Sequence, residues 1–440
     1  MMIQEHHQHG YGHGRGCARG RGPVCVIGAG IIGAATAIWL QRLGRDVRLI
    51  DAQGPAAGAS YGNAGMLASS SIVPVTTPGL ISKIPSYLFD PNKPLFLRWE
   101  YLPTLFPWLC KYLTHANASD AGRAAHALHP IIGNSLADHQ ALANGIRDAE
   151  KLIKPSKWMY LFRDRKEFEE DQYGWSLRRK YGFSWDEIGN EEIRALEPSF
   201  SDQYTFATMI GNHGSISDPP MYVNALVEHI EKSGGKLQFG NAVKDFEIEG
   251  SALKGLRLCD DTVIECDAAV VATGVWSRDL AKKFGLAVPL ESERGYHMEF
   301  WSPNWMPRQP VTINEGKFIL TPMEGRLRAA GVVEFGGLLP ASDPPFEFLK
   351  RTVAKCVPNL KYERVTRWQG HRPAPADSIP IIGALNTISG IFLGFGHHHV
   401  GLTGGAKTGK ILAEMIALDS GRCMTDEELS VYSPTRFATR

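Results

Sequence analysis

Apolar residues fall along this chain in distinct kinds of run, and each kind predicts a different element. Residues 24–27 and 268–272 are short and uniformly apolar, and 47–50 are apolar but for Arg48, the pattern of strands buried on both faces. Residues 31–43 are rich in Ala, Ile and Leu and stop at Gly44, which predicts a helix. Residues 290–335 alternate apolar and polar positions, broken by turn residues at 303–310, 314–316 and 323–325, which predicts an antiparallel sheet. The stretch from 120 to 200 reads as mainly helical, with amphipathic segments at 134–152 and 165–180 and a strand at 157–162 between them. From Ser217 a turn leads into a helix closed by Gly234 and Gly235. Strands follow at 236–239 and 242–249, then a hairpin of 252–259 and 262–265 about Asp260 and Asp261. Residues 346–356 predict a helix, and the chain ends with a strand at 391–393, a loop rich in Gly and His, and a helix at 404–417.

Between the first strand and the first helix, Gly28, Gly30 and Gly33 stand in G-x-G-x-x-G spacing, and Asp51 follows the second strand. Gly28 permits the tight turn, Gly30 leaves the backbone bare to a pyrophosphate, and Gly33 lets helix and strand pack closely. The helix N-terminus carries about +0.5 of an elementary charge, which suits a phosphate, and Asp51 can accept from ribose hydroxyls. Strand, turn, helix, strand and acid in this order within about 30 residues form the dinucleotide-binding pattern. The spacing fits NAD and FAD equally, and a tight strand–helix turn without a ligand is the bland alternative.

Segments of this Rossmann type recur at the start, middle and end of the chain, with one helical and one sheet-forming insertion between them. The fold class expected is therefore α/β (α+β), a Rossmann-like dinucleotide domain interleaved with an antiparallel-sheet substrate domain. The dinucleotide domain is assigned residues 23–84, 205–289 and 366–425, and the substrate domain 85–204 and 290–365, with tails at 1–22 and 426–440. A length of 440 residues agrees with about two domains.

A net charge of +1 argues against a nucleic-acid binder. The seven cysteines are scattered and contain no C-x-x-C pair, which disfavours a disulfide framework and a structural zinc site and suits reduced thiols in a cytoplasmic protein. Residues 1–22 are rich in His, Gly and Arg and have no apolar core, so they read as a disordered tail and not as a signal peptide. Residues 85–113 are dense in Trp, Phe, Tyr and Leu and broken by Pro91, Pro94, Pro103 and Pro107. They read as a buried connection with a short helix, or as a patch resting peripherally on the inner face of a membrane.

The stretches VIGAGIIGAATAIWL…LID, VVATGVWS, WQGHRPAPADSIPIIG and GFGHHHVGLTGGAKTGK together resemble the FAD-dependent D-amino-acid oxidase superfamily. Within it the chain looks most like the bacterial D-amino-acid dehydrogenases of small-subunit type, with glycine oxidase and sarcosine oxidase further off. The resemblance spans residues 23–425 and implies FAD. It implies Gly28, Gly30, Ile31, Ile32 and Gly33 round the pyrophosphate, and Asp51 and Ala52 at the adenosine ribose. Ser60, Asn63, Ala64, Gly65 and Met66 would run along the pyrophosphate and flavin, and Val243 would contact adenine. Thr273, Gly274 and Trp276 would close the site. Gly396, His398, Val400, Gly401, Leu402 and Thr403 would lead along the flavin into the last helix.

The same resemblance implies that Arg372 anchors an amino-acid carboxylate, for which a guanidinium has two parallel donors; a structural arginine in a loop salt bridge is the alternative. Tyr296 and His297 fall on a strand that the family places over the flavin. Successive strand residues face opposite ways, so only one can enter the pocket, and Tyr296 is expected to be that one. Where family members often read G-H-G-H, this chain reads Gly396, His397, His398, His399, so His398 replaces a glycine. Three adjacent loop histidines do not converge on one ion, and no metal is assigned.

The implied reaction is oxidation of a D-amino acid with hydride transfer from Cα to flavin N5. The imino product hydrolyses to a 2-oxo acid, or stays a cyclic imine if the nitrogen is secondary, as in D-proline or a hydroxy-D-proline. Electrons then pass to a quinone or another carrier in the dehydrogenase branch, and to oxygen in the oxidase branch. An NAD-linked dehydrogenase and a flavin-binding subunit of a larger complex are the competing classes.

Overall fold

Val24–Ile27 is buried at all four positions and runs straight into the helix Ile31–Arg42. It pairs in parallel with Val47–Asp51 on one side and Ala268–Val271 on the other. Lys236–Phe239 and Ile391–Phe395 extend this sheet in parallel at either end, and Ile381–Ala384 closes one edge antiparallel. This computed structural model describes residues 22–89, 94–418 and 420–437. The N-terminal tail expected at 1–22 lies outside the described residues, Gly22 excepted.

One face of the six-stranded sheet is covered by Ile31–Arg42, Pro219–Lys232 and Gly405–Ala417, whose Ile38, Leu40, Leu226 and Leu412 are fully or almost fully buried together. The other face carries an antiparallel sheet of Val243–Glu249, Ala252–Leu258 and Val263–Glu265, the hairpin the sequence predicts. Close packing at the first turn depends on two missing side chains. Gly28 has φ +108°, and a Cβ there would lie 2.4 Å from the Ala272 carbonyl oxygen. A Cβ on Gly33 would lie 1.8 Å from the Gly28 carbonyl oxygen.

A ten-stranded sheet forms the second layer. Its order is Arg364–Pro375, Leu290–Trp301, Arg326–Phe335, Phe318–Met323, Val311–Ile313, Ile153–Phe162, Phe206–Ile216 and Met66–Leu67. Leu95–Leu97 adds beside Arg326–Phe335, and Trp185–Gly189 beside Phe206–Ile216. The strands between 290 and 335 pair antiparallel, as their alternation predicts. Joins to Ile153–Phe162 and Leu95–Leu97 are parallel, so the whole sheet is mixed. Helix Pro344–Cys356 covers one face, burying Phe346, Leu349 and Val353 on Met298, Phe300 and Leu327.

The helices between 118 and 150, grouped by sequence with the substrate domain, bury Ala125, Leu128, Ile131, Leu142 and Ile146 in the core around Ile31–Arg42. Conversely Phe206–Ile216, grouped with the dinucleotide domain, pairs with Ile153–Phe162 in the large sheet. An amphipathic pattern says that a face is buried, not which core it meets. Phe206–Ile216 escaped detection because Gly211 and Asn212, the latter at φ 58°, interrupt it where its pairing shifts register.

The aromatic stretch folds as helix Leu80–Phe89, strand Leu95–Leu97 and helix Leu102–Thr114. Leu105, Trp108 and Tyr112 are buried against Ala374 and Ala376, and Trp108 Nε1 donates to the Pro289 and Ala374 carbonyls at 3.1 Å each. This face is a buried connection, whereas Ile81, Trp99 and Phe106 are more than half exposed. No helix among the described residues is long and apolar enough to cross a membrane.

Candidate active site

A cavity of about 1550 Å³ runs from the glycine turn toward the large sheet. At the turn, Ile31 N donates to Ser60 Oγ at 3.0 Å, and a Cβ on Gly30 would stand 3.2 Å from that oxygen. Gly30, with no side chain, borders the cavity at the start of the helix. Asp51 is fixed by N–H groups: Ala29 N donates to Oδ2 at 2.8 Å, and Gln53 N and Gly54 N to Oδ1 at 2.8 and 3.0 Å. A carboxylate has about four acceptor sites, so capacity for a hydroxyl remains.

The loop from Ser60 to Met66 crosses the middle of the cavity and is held from the large sheet. Arg328, 1% exposed, donates from Nη1 to the carbonyl oxygens of Tyr61, at 3.3 Å, and Asn63. Its Nη2 meets Glu299 Oε1 at 2.6 Å, the same oxygen Arg326 Nε reaches at 2.6 Å, and Arg326 Nη2 meets Asp218 Oδ2 at 2.8 Å. His297 Nδ1 lies 3.2 Å from the Gly62 carbonyl oxygen and so donates to it, and its ring stacks on Trp368. Burial pushes the His297 pKa down to about 3. His297 thus faces the loop and fixes it.

Tyr296 corrects the sequence expectation. It borders the cavity, yet its ring packs edge-on against Phe346 in the core behind the sheet, and its hydroxyl donates to Glu334 Oε2 at 2.5 Å. Met298 and Phe300 turn to the same core, and Arg294 pairs with Glu334 at 3.0 Å. Glu293 turns to the cavity side instead.

Arg372 stands directly opposite Glu293 on the neighbouring strand. Its Nη1 donates to Glu293 Oε1 at 3.0 Å and to the Val332 carbonyl at 3.4 Å, and Nη2 to the Gly331 carbonyl at 3.3 Å. The guanidinium lies across Gly295, where a Cβ would be 2.6 Å from Cζ. Burial raises the Glu293 pKa, but the His398 hydrogen bond and the Arg372 charge outweigh it and hold the carboxyl down to about 2. His398 Nδ1 is 3.5 Å from Glu293 Oε2, and Nε2 donates to the Pro375 carbonyl at 3.0 Å. His399 lies deep in the protein, and its ring is exposed because it faces the hollow cavity. Burial holds the His399 pKa down to about 4. Leu97, Leu102, Leu105, Leu109, Val332 and Phe335 wall the same end with apolar surface.

The family model described as DAO, FAD dependent oxidoreductase, matches residues 23–415. The chain belongs to this family. A D-amino-acid oxidase from Bradyrhizobium diazoefficiens is 38% identical over 422 residues, 94% of this chain and 98% of the relative. A D-amino acid dehydrogenase from Rhizobium rhizogenes is 26% identical over 406 residues, 90% of this chain and 95% of the relative. Among solved structures, glycine oxidase from Geobacillus kaustophilus has a TM-score of 0.74 at 20% identity, covering 94% of this chain and 99% of that one. L-proline dehydrogenase from P. horikoshii has a TM-score of 0.68 at 18% identity, covering 95% and 98%. These two share the fold.

The cofactor of this FAD-dependent oxidoreductase is FAD, and the residues present fit it. Gly30 without a side chain, the anchored Asp51 and a cavity continuous from the turn to Arg372 suit a long dinucleotide. Of the residues singled out from the sequence, all but Gly33, Gly65 and His297 border the cavity. Gly33 serves packing. Gly65, at φ +74°, donates to Asn63 Oδ1 at 2.8 Å and turns the loop. Sequence reasoning missed Glu293 and His399. The available signal was Glu291, Glu293 and Glu299 at alternate positions of one predicted strand, an acidic face that only a polar site could accept.

Proposed function

We propose that this oxidoreductase dehydrogenates D-amino acids at Cα, with Arg372 binding the substrate carboxylate. The carrying observation is the Arg372 guanidinium at the cavity wall, 21% exposed. Its hydrogen bonds among the described residues occupy three of its five N–H donors, leaving donors for a carboxylate. The two curated relatives, an oxidase and a dehydrogenase of D-amino acids, support the same substrate class.

The chemistry that bound FAD supplies is acceptance of the hydride and its electron pair. The chain's part is orientation and environment. Arg372 fixes the carboxylate. Neutral His399 can accept a hydrogen bond from the substrate amine without setting a further positive charge beside it. The leucine wall excludes water from the reacting end. The start of Gly405–Ala417, reached through Val400 and Thr403, brings the positive end of a helix toward the cavity.

The substrate proposed is a cyclic secondary D-amino acid such as D-proline or a hydroxy-D-proline. The proposed electron acceptor is a quinone or another carrier. Exposed Ile81, Trp99 and Phe106 sit on the segment that walls the substrate end, which supports a peripheral contact with a membrane surface. A panel of D- and L-amino acids with dye reduction, run with and without oxygen, tests the reading. Turnover confined to D-amino acids supports it, led by D-proline and favouring dye over oxygen. Turnover of L-amino acids alone contradicts the substrate class.

A further inference from the structure

Three side chains from separate segments, together with the Pro375 carbonyl, form one chain of contacts at the substrate end. The Pro375 carbonyl accepts from His398 Nε2 at 3.0 Å, His398 Nδ1 faces Glu293 Oε2 at 3.5 Å, and Glu293 Oε1 accepts from Arg372 Nη1 at 3.0 Å. Glu293 is 5% exposed at its side chain, and both oxygens are engaged inside the protein, so it is not free to bind substrate itself. Arg372 by contrast keeps donors and faces the cavity. A long, flexible side chain in that position would sample many rotamers, and a fixed carboxylate directly across the strand pair removes that freedom. Gly295 supplies the slot, since a Cβ there would meet the guanidinium at 2.6 Å.

His398 adopts φ 48°, a left-handed conformation that is strained for a residue with a Cβ. The strain falls at the position where the sequence departs from glycine. What the imidazole gains there is a bridge between the Pro375 carbonyl and Glu293.

We infer that Glu293 is the positioning residue for Arg372 and that His398 holds Glu293 in place, so that the three set the angle at which the substrate enters. This rests on the assignment of Arg372 to the substrate carboxylate.

The test uses the full-length holoenzyme and three readouts: flavin content, steady-state kcat and KM with the best D-amino acid and a dye, and titration of the flavin absorption spectrum with acetate as a carboxylate probe. Glu293→Ala should lower kcat tenfold or more, while flavin content holds and acetate affinity stays within threefold or tightens. Glu293→Gln, which keeps an acceptor for Arg372, should restore most of the kcat. His398→Gly should lower kcat in the parent and have no further effect in Glu293→Ala. A kcat for Glu293→Ala within twofold of the parent, or a Gln variant as poor as Ala, overturns the role of Glu293. Full additivity with His398→Gly overturns the role of His398. If Glu293→Ala does not accumulate folded, His398→Gly decides alone: kcat lowered with flavin and acetate binding intact supports the unit, and an unchanged kcat overturns it. Arg372→Ala separates the underlying assignment. Acetate affinity unchanged in that variant sinks the carboxylate reading, whereas acetate affinity lost there with normal Glu293→Ala turnover sinks only this inference.

Discussion

His297 and Trp368 stack with ring centroids 5.1 Å apart and 20° between their planes, and together they clamp the loop that crosses the cofactor cavity. A Cβ on Gly62 would lie 1.8 Å from Trp368 Cζ3, and the Gly62 carbonyl accepts from His297. Gly62→Ala should therefore yield protein with little bound flavin. His297→Ala removes one buried hydrogen bond, worth about 1–2 kcal/mol, and should weaken FAD binding roughly 5- to 30-fold. Equilibrium titration of the apoprotein with FAD, followed by tryptophan fluorescence, checks both.

Glu299 stands between two buried guanidiniums, Arg326 and Arg328, and anchors the same loop through Arg328. Burial raises the pKa of its carboxyl, but the Arg328 charge and the Arg326 and Arg328 hydrogen bonds bring it down to about 2. Glu299→Gln leaves Arg328 without its carboxylate and Arg326 with Asp218 alone. Breaking a buried pair costs about 3–5 kcal/mol, and the loss should appear as a lower thermal midpoint together with faster flavin release. An unchanged midpoint would show that Asp218 suffices for both arginines.

Acid should unfold the protein early. His139 and His213 have pKa values lowered to about 4, and His297 and His397 to about 3, all from 6.5 and all chiefly by burial. As pH falls below 6.5 the unfolded chain takes up protons that the folded chain refuses, so stability falls with pH through this window. Each histidine contributes on the order of a few kcal/mol when its unfolded form is fully protonated. The thermal midpoint at pH 5 should lie about 5–10 °C below that at pH 7. A flat profile between these values would contradict the neutral, buried assignment.

Much of this was legible in the sequence because the signals were local. The glycine turn and Asp51 lie within one strand–helix–strand unit, and the alternation across 290–335 fixed a half-covered sheet. What was not legible depended on partners far away in sequence. The helices between 118 and 150 found the dinucleotide core rather than the substrate sheet, and nothing in their own periodicity records which. The face chosen for Tyr296 went wrong for a related reason. Alternation says that Tyr296 and His297 point opposite ways, but the anchor that tells the faces apart is Phe346 on a helix fifty residues on. Arg372 was readable from its motif. Its partner Glu293 is revealed only when the two strands lie side by side.

The central claim is that Arg372 grips the substrate acid. Its most direct test is kcat/KM of Arg372→Ala with the best D-amino acid, alongside flavin content. Loss of a charge partner predicts a drop equivalent to about 2–5 kcal/mol, with FAD retained. A kcat/KM close to that of the parent would contradict the account.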